Sequence, residues 1–395
     1  MASYGAIKHE CDQLNKVRNV EKVGSYSMQE FWSQAKGNFY ISGGDADERE
    51  EILIDQLEDA LLERNMPTVI LTGSVSMERA VIDLIQGMNG TKLYVSSKRY
   101  PNYHVFHGMS CNTITNYLWD VITNKNTGID IKLKSYIRAF LTVLGKRYIL
   151  SLPAIRKMIE LEDYQIVSLG VSEGVEKTTL DILTTGADYG VTFRTLIQEL
   201  CDVFGIISTE ECETEHSILN DATEKNRVLL INTRSKNSYI VNRYFYYELN
   251  ELLEERNFRL ILSDVSLQKD DGIEELINEM QLLQCNQLGI STYSLPVMFQ
   301  REETRKGFPI QVILKGTGSV TGNDLELYHN LGDYKHYEAS KGGSTDTEMI
   351  TLFPSSNWQK GYQIRDRVRL EDTEGSQAVL TGHNGNQILI VKKIV

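Results

Sequence analysis

The sequence of 395 residues is poor in proline, with six, and its five cysteines (Cys11, Cys111, Cys201, Cys212, Cys285) are scattered without a C-x-x-C pair. Few prolines argue against a long disordered linker. An odd set of separated cysteines fits a reduced, cytoplasmic chain better than a disulfide scaffold. No window approaches ~18 uninterrupted apolar residues, so no membrane span is expected, and the opening MASYGAIKHECDQLNKVRN lacks the apolar core of a signal peptide. Positive charge is also short: 41 Lys and Arg against 54 Asp and Glu leave a net charge of −13. Such a field repels a nucleic-acid backbone unless a local basic patch overrides it. Seven scattered histidines single out no Ser/His/Asp or Cys/His arrangement, so no catalytic residue is assigned.

What the chain does have is 41% apolar residues, enough core for one large α/β domain or two smaller ones. Its most informative stretch runs from Asn38 to Asn65. There the apolar run Phe39, Tyr40, Ile41 meets the glycine pair Gly43 and Gly44, and Ile52, Leu53, Leu57, Leu61 and Leu62 then follow at helical spacing. That is a strand, a tight loop and a helix, the layout of a phosphate-binding unit. In a working loop of form G-x-x-x-x-G-K-[ST], backbone N–H groups cradle phosphates, the lysine neutralises them and the hydroxyl holds magnesium. Counted from Gly43, the second glycine falls on Glu48, the lysine on Arg49 and the hydroxyl on Glu50. Asp45, Asp47, Glu48, Glu50 and Glu51 place negative charge where a triphosphate needs positive charge, yet they suit the start of a helix that binds nothing.

Residues 1–37 read as a polar, helical or loosely ordered lead-in anchored by Phe31 and Trp32. Strands are expected at Thr68 to Thr72 and Lys92 to Val95, with a helix from Met77 between them, and this alternation signals a parallel sheet covered by helices. From 112 to 226 the apolar positions keep helical spacing, which predicts an all-α insertion between a first core part (38–111) and a second (227–330). The sheet resumes with RVLLINT, a helix through NRYFYYELNELLEERN, and RLILSDVSL. An internal echo, LLERNMPTVIL against LEERNFRLIL, predicts the same helix-to-strand device twice. A helix at Gly272 to Leu283 and strands at Leu288 to Tyr293 and Ile310 to Leu314 complete the core. The segment 331–395 ends in two β-like runs around Asn384-Gly385, a hairpin signal.

Other stretches carry weaker signals. RLILSDVSL offers Asp264 alone where a nucleotide site needs an acid pair, and a lone strand-end aspartate is more often a cap. GVSEGVEKTT (170–179) follows the strand-like YQIVSL, but Gly174 stands three residues before Lys177, so a plain loop opening a helix is the simpler reading. KGTGSVTGN (315–323) is glycine-rich with a single lysine nearby. His104, His107 and Cys111 have metal-compatible spacing without a second cluster to complete four ligands. Tyr239, Tyr244, Phe245, Tyr246 and Tyr247 suggest core packing plus a subunit contact before a stacking platform for single strands. Lys360, Arg365, Arg367 and Arg369, interrupted by Asp366 and Glu371, read as a solvated face.

Taken together, the order of these elements resembles the motor domain of the type IV coupling proteins of bacterial conjugation, a branch of the hexameric DNA-pumping ATPases. The resemblance covers residues 38–395. It rests on NFYISGGDADEREEIL, the all-α insertion, then RVLLINT, RLILSDVSL and QLLQCNQLGISTYS. It rests also on the close, where FPIQVILKGTGSVTGNDLELYHNLGDYKHYEAS and RVRLEDTEGSQAVLTGHNGNQILI follow in turn. It implies a doubly wound, RecA-like α/β sheet with an inserted all-α domain and a small C-terminal β hairpin. The family's lysine falls on Arg49, its magnesium hydroxyl on Glu50 and its acid pair around Asp264, while Cys285 and Tyr293 stand where an arginine and a glutamine are expected. Gly43, Gly44, Arg49 and Asp264 are thus vestigial candidates for cofactor binding. No catalytic residue, metal or cofactor is expected. The leading expectation is a pseudo-ATPase, a structural or regulatory subunit that assembles with itself or with an active relative. The alternatives are a divergent motor that uses ATP and magnesium, with Arg49 and Asp264 as stand-ins, and a nucleic-acid adaptor.

Overall fold

The computed structural model describes residues 20–62, 66–125 (except Asn89), 128–205, 227–234, 238–253, 256–265, 273–283, 287–293, 307–314, 336–339, 362–365, 378–383 and 387–395, with a few single residues between them. The first elements are β1 (Val20–Val23), α1 (Met28–Gln34), β2 (Phe39–Ser42), α2 (Ala46–Leu62), β3 (Thr68–Thr72), α3 (Val75–Gln86) and β4 (Leu93–Ser96). Among the described residues these helices follow: α4 (Cys111–Lys125), α5 (Lys132–Arg147), α6 (Leu152–Met158), α7 (Asp163–Ser172), α8 (Lys177–Thr185) and α9 (Ala187–Phe204). Next come β5 (Val228–Asn232), α10 (Ser238–Leu253), β6 (Arg259–Ser263), α11 (Ile273–Leu282), β7 (Gln287–Thr292) and β8 (Ile310–Leu314). The chain ends with β9 (His336–Ala339), β10 (Tyr362–Arg365), β11 (Ala378–His383) and β12 (Gln387–Val391). It divides into two compact units, residues 1–63 with 289–395, and residues 64–288. Among the described residues no helix is long and apolar enough to cross a membrane.

In the first unit β2 lies between β7 and β8 and is parallel to both, with Tyr40 opposite Ile290 and Gln311. Every residue of Phe39–Ser42 and of Ile310–Leu314 is buried, the continuous run that a strand covered on both faces requires. β8 then pairs antiparallel with β11, which pairs antiparallel with β12. The C-terminal hairpin is therefore present, but as a continuation of this unit's sheet rather than a separate small element. Its bulge falls between Thr381 and His383, where Gly382 has φ 89° and a Cβ would stand 2.5 Å from the Pro309 carbonyl oxygen. The turn residues Asn384 and Gly385 lie outside the described residues, as do KGTGSVTGN, Lys360, Arg367 and Arg369.

The lead-in contains a strand that sequence patterning did not foresee. β1 runs parallel to β12, a pairing made through the backbone of VEKV rather than through an apolar pattern. Ser27 caps α1 by accepting the Glu30 amide, and Phe31 and Trp32 are buried, with the Trp32 indole N–H donating to the Ile52 carbonyl at 3.2 Å.

In the second unit four parallel strands run in the order β6, β3, β5, β4. The two echoed segments are its β3 and β6. They are neighbours in unbroken register from Thr68 opposite Arg259 to Thr72 opposite Ser263, and each follows its preceding helix at the same offset along the chain. Between β4 and β5 the chain is helical from α4 to α9. The strand-like YQIVSL, within the stretch read as all-α, lies in α7. Glu162 and Gln165 form a reciprocal capping box, and Ile166 and Gly170, one turn apart, are buried. A Cβ at Gly170 would lie 2.5 Å from Leu180, so glycine lets α7 and α8 pack closely. GVSEGVEKTT is thus a helix end, a turn at Gly174 with φ 70° and a helix start. The aromatic run forms core: Tyr244, Phe245 and Tyr246 are buried, and Tyr244 meets Tyr103, Phe106, Tyr117 and Phe204 edge-on at 5.1–6.3 Å.

Candidate functional site

The loop after β2 is where the sequence points, and its geometry follows from the two glycines. Gly43 and Gly44 both have left-handed backbone, φ 79° and 60°, a region costly for residues with a Cβ. A methyl on Gly43 would also fall on the carbonyl oxygen of Leu314, while the Gly43 amide donates to the Tyr293 carbonyl at 3.1 Å. The helix then starts early. Asp45 takes the Glu48 amide on Oδ1 at 2.8 Å and Glu48 returns Oε2 to the Asp45 amide at 3.1 Å, a reciprocal cap. Glu48, where the G-x-x-x-x-G-K-[ST] form counted from Gly43 would put its second glycine, is therefore already inside α2. Only Gly43, Gly44 and Asp45 separate strand from helix, too few to wrap a phosphate in amides.

Arg49 completes the inversion. Its side chain is buried, 4% exposed, and turns back into the loop. Nη1 donates to the carbonyl oxygens of Gly43 at 3.0 Å, Gly44 at 3.2 Å and Asp45 at 3.1 Å. Its guanidinium carbon stands 5.8 Å from the centre of the Tyr293 ring. A phosphate cradle converges N–H groups on an anion; here three carbonyl oxygens converge on the chain's own cation. Glu50, the residue that the sequence count sets against the magnesium hydroxyl of a working loop, is buried as well, at 7% exposure. Further along α2, burial first, and then the charges of Glu58 and Glu51, raise the Asp55 carboxyl from its ordinary value.

Asp264 belongs to the second unit, just past the end of β6, and takes a left-handed backbone with φ 49°. Its carbonyl oxygen lies against Gly73, where a Cβ would collide with it, and the Gly73 amide donates to the Ser263 carbonyl at 3.0 Å. Gly43, Gly44 and Arg49 are thus brought together in one loop, and Asp264 shapes a turn beside β3. His104 and His107 have ring centres 6.0 Å apart, but the Cys111 sulfur faces the Arg138 carbonyl and the Thr142 hydroxyl instead. Among the described residues no group of three or more His, Cys, Asp or Glu could hold a metal.

Sequence reading missed a buried polar network at the C-terminal ends of β3, β5 and β4. Glu78, 7% exposed, accepts from Asn232 Nδ2 at 2.7 Å and from the Ser97 hydroxyl at 2.9 Å, while Asn232 Nδ2 also reaches the Ser74 carbonyl at 3.2 Å. The available signal was a glutamate three residues before Val81 on the apolar face of α3.

No protein-family model matches the chain, and no curated protein matches it. Among solved structures it is similar to VirB4 of Thermoanaerobacter pseudethanolicus, at 9% identity over 89% of this chain and 88% of that one, with a TM-score of 0.49.

Proposed function

We propose that this chain is a pseudo-ATPase: a RecA-like, doubly wound subunit that keeps the nucleotide-binding scaffold without nucleotide and serves a structural or regulatory role in a DNA-translocase or secretion-type assembly. The observation that carries this reading is Arg49. Its guanidinium occupies the loop that would receive phosphate, bound to the carbonyl oxygens of Gly43, Gly44 and Asp45. To admit ATP, the chain would have to withdraw a buried cation from three acceptors and turn those carbonyls away from an incoming anion. The short loop and the acidic start of α2 oppose the same event. The kind of assembly is inferred from the order of elements that resembles the coupling proteins, and its partner is the chain itself or an active relative.

The test is the mass of the purified chain in solution, alone and with a candidate active ATPase, with and without ATP and magnesium. This reading expects an assembled species whose mass is indifferent to nucleotide. Assembly that appears only on adding ATP to this chain alone would favour the divergent motor instead.

A further inference from the structure

The helical stretch of the second unit carries an unusual division of charge. From 125 to 157 there are eight Lys and Arg against the single acid Asp130, a net charge of +7; from 158 to 202 there are nine Asp and Glu against Lys177 and Arg194, a net charge of −7. Two ion pairs already join the arms within the chain, Lys125 with Glu199 and Arg147 with Glu173, the latter at 3.6 Å. Several other charges of the two arms form no such pair among the described residues. Lys134, Arg138 and Lys146 fall within about 120° of one another around α5, and their side chains make no ion pair among the described residues. Glu160, Glu176 and Asp181, all exposed on or beside α7 and α8, make none either.

Each arm also exposes apolar surface beside its charges. Tyr148 and Ile149, at the end of α5, are 47% and 48% exposed, and Tyr164 and Val171, seven residues apart on α7 and so on one face, are 69% and 64% exposed. We propose that the basic arm of one copy, centred on Lys134, Arg138 and Lys146, docks on the acidic arm of a second copy of this chain, centred on Glu160, Glu176 and Asp181. This inference rests on the reading of the chain as an assembly subunit and names the surface that assembly uses. Charge decides the occupant. Outside 125–157 the chain carries −20, which repels a nucleic acid approaching the basic arm. A second copy instead supplies −7 to match +7, the pairing the chain already makes internally.

The experiment is sedimentation velocity of the full chain and two charge-reversed variants, Lys134→Glu/Arg138→Glu/Lys146→Glu and Glu160→Lys/Glu176→Lys/Asp181→Lys, singly and mixed, with folding checked by circular dichroism. The single variants Arg138→Glu and Asp181→Lys stand in if a triple fails to fold. The expected result is self-association of the native chain that weakens from about 0.1 M to about 1 M salt, as the screening length falls from about 10 to about 3 Å. Each triple variant alone should lose more than about a hundredfold in association constant, and the equimolar mixture should regain it. Native self-association that both reversals leave unchanged overturns this surface while the assembly reading survives. A native chain monomeric under all conditions, and with the candidate ATPase, sinks both. Fluorescent single-stranded and duplex DNA are titrated in parallel. Salt-sensitive DNA binding lost on basic reversal, with self-association untouched, assigns the basic arm to nucleic acid and overturns the proposal.

Discussion

Replacing Arg49 by Met keeps an apolar stem at this buried position and deletes the guanidinium on which the reading rests. Nη1 carries two hydrogens and faces three carbonyls at 3.0–3.2 Å, so it sustains two good bonds at a time rather than three. A hydrogen bond to a charged group contributes roughly 1.5–3 kcal/mol. The Asp45 carbonyl also accepts the Arg49 amide at 3.3 Å, so it stays bonded in the variant. The Gly43 and Gly44 carbonyls lose a donor, with some relief from water entering the loop. The expected loss for the first unit is about 2–4 kcal/mol. It is read by urea unfolding through Trp32 fluorescence, with Trp119 and Trp358 replaced by Phe in both proteins. A loss below about 0.5 kcal/mol, the size of an ordinary surface substitution, would refute the idea that the guanidinium holds the loop. The companion variant Arg49→Ala should leave nucleotide affinity where it was, whereas loss of a measurable ATP affinity would show that Arg49 binds phosphate.

Gly43→Ala should destabilise the same unit by more than about 2 kcal/mol, since it combines a left-handed backbone with a methyl on the Leu314 carbonyl; a neutral effect in the same urea assay means the loop is looser than described. Trp32→Phe removes the donor to the Ile52 carbonyl and part of a buried ring, and should cost about 1–2 kcal/mol, read as a lowered thermal midpoint. Glu78→Gln replaces an acceptor of two donors by a group with one acceptor and one donor. It should cost about 1–3 kcal/mol and raise amide exchange at the ends of β3 and β5; unchanged exchange there argues against the network. His104 is held below its usual value near 6.5 by burial, and then by the charge of His107. Its neutral form is the one the fold favours, so its contribution is intact above pH 6.5 and declines as pH falls from there through the lower folded value. The native urea midpoint should therefore drop between about pH 7 and about pH 5, and His104→Gln should flatten that drop.

Where one interaction dominated, the sequence could be read directly. Phe39 to Ile41 form a buried strand, a short β-favouring apolar run stopped by a glycine pair, and Asp45 and Glu48 then cap the helix that follows. The echo of 61–71 in 253–262 pointed to two like units, and its strands are neighbours in register. The substitution at Arg49 was legible as a loss, but its consequence was not: no pattern tells that a side chain folds back onto the carbonyls of its own loop. β1 was hidden because a strand on the edge of a sheet is held by backbone pairing, which leaves little trace in VEKV. YQIVSL looks strand-like because β-branched residues favour strands locally, but the capping box at Glu162 and the packing at Gly170 hold it in the helix that the surrounding periodicity predicts. The network of Glu78, Asn232 and Ser97 joins residues far apart in the chain, and only the parallel register brings them together.

The central claim is that the loop after β2 is closed to phosphate by Arg49, and calorimetric titration of the purified chain with ATP and magnesium tests it most directly. The account predicts no binding heat up to about millimolar ATP, where even a weak site worth about 4 kcal/mol would register. Saturable binding with a micromolar dissociation constant, abolished by Arg49→Ala, would contradict it and make this chain a nucleotide-binding motor.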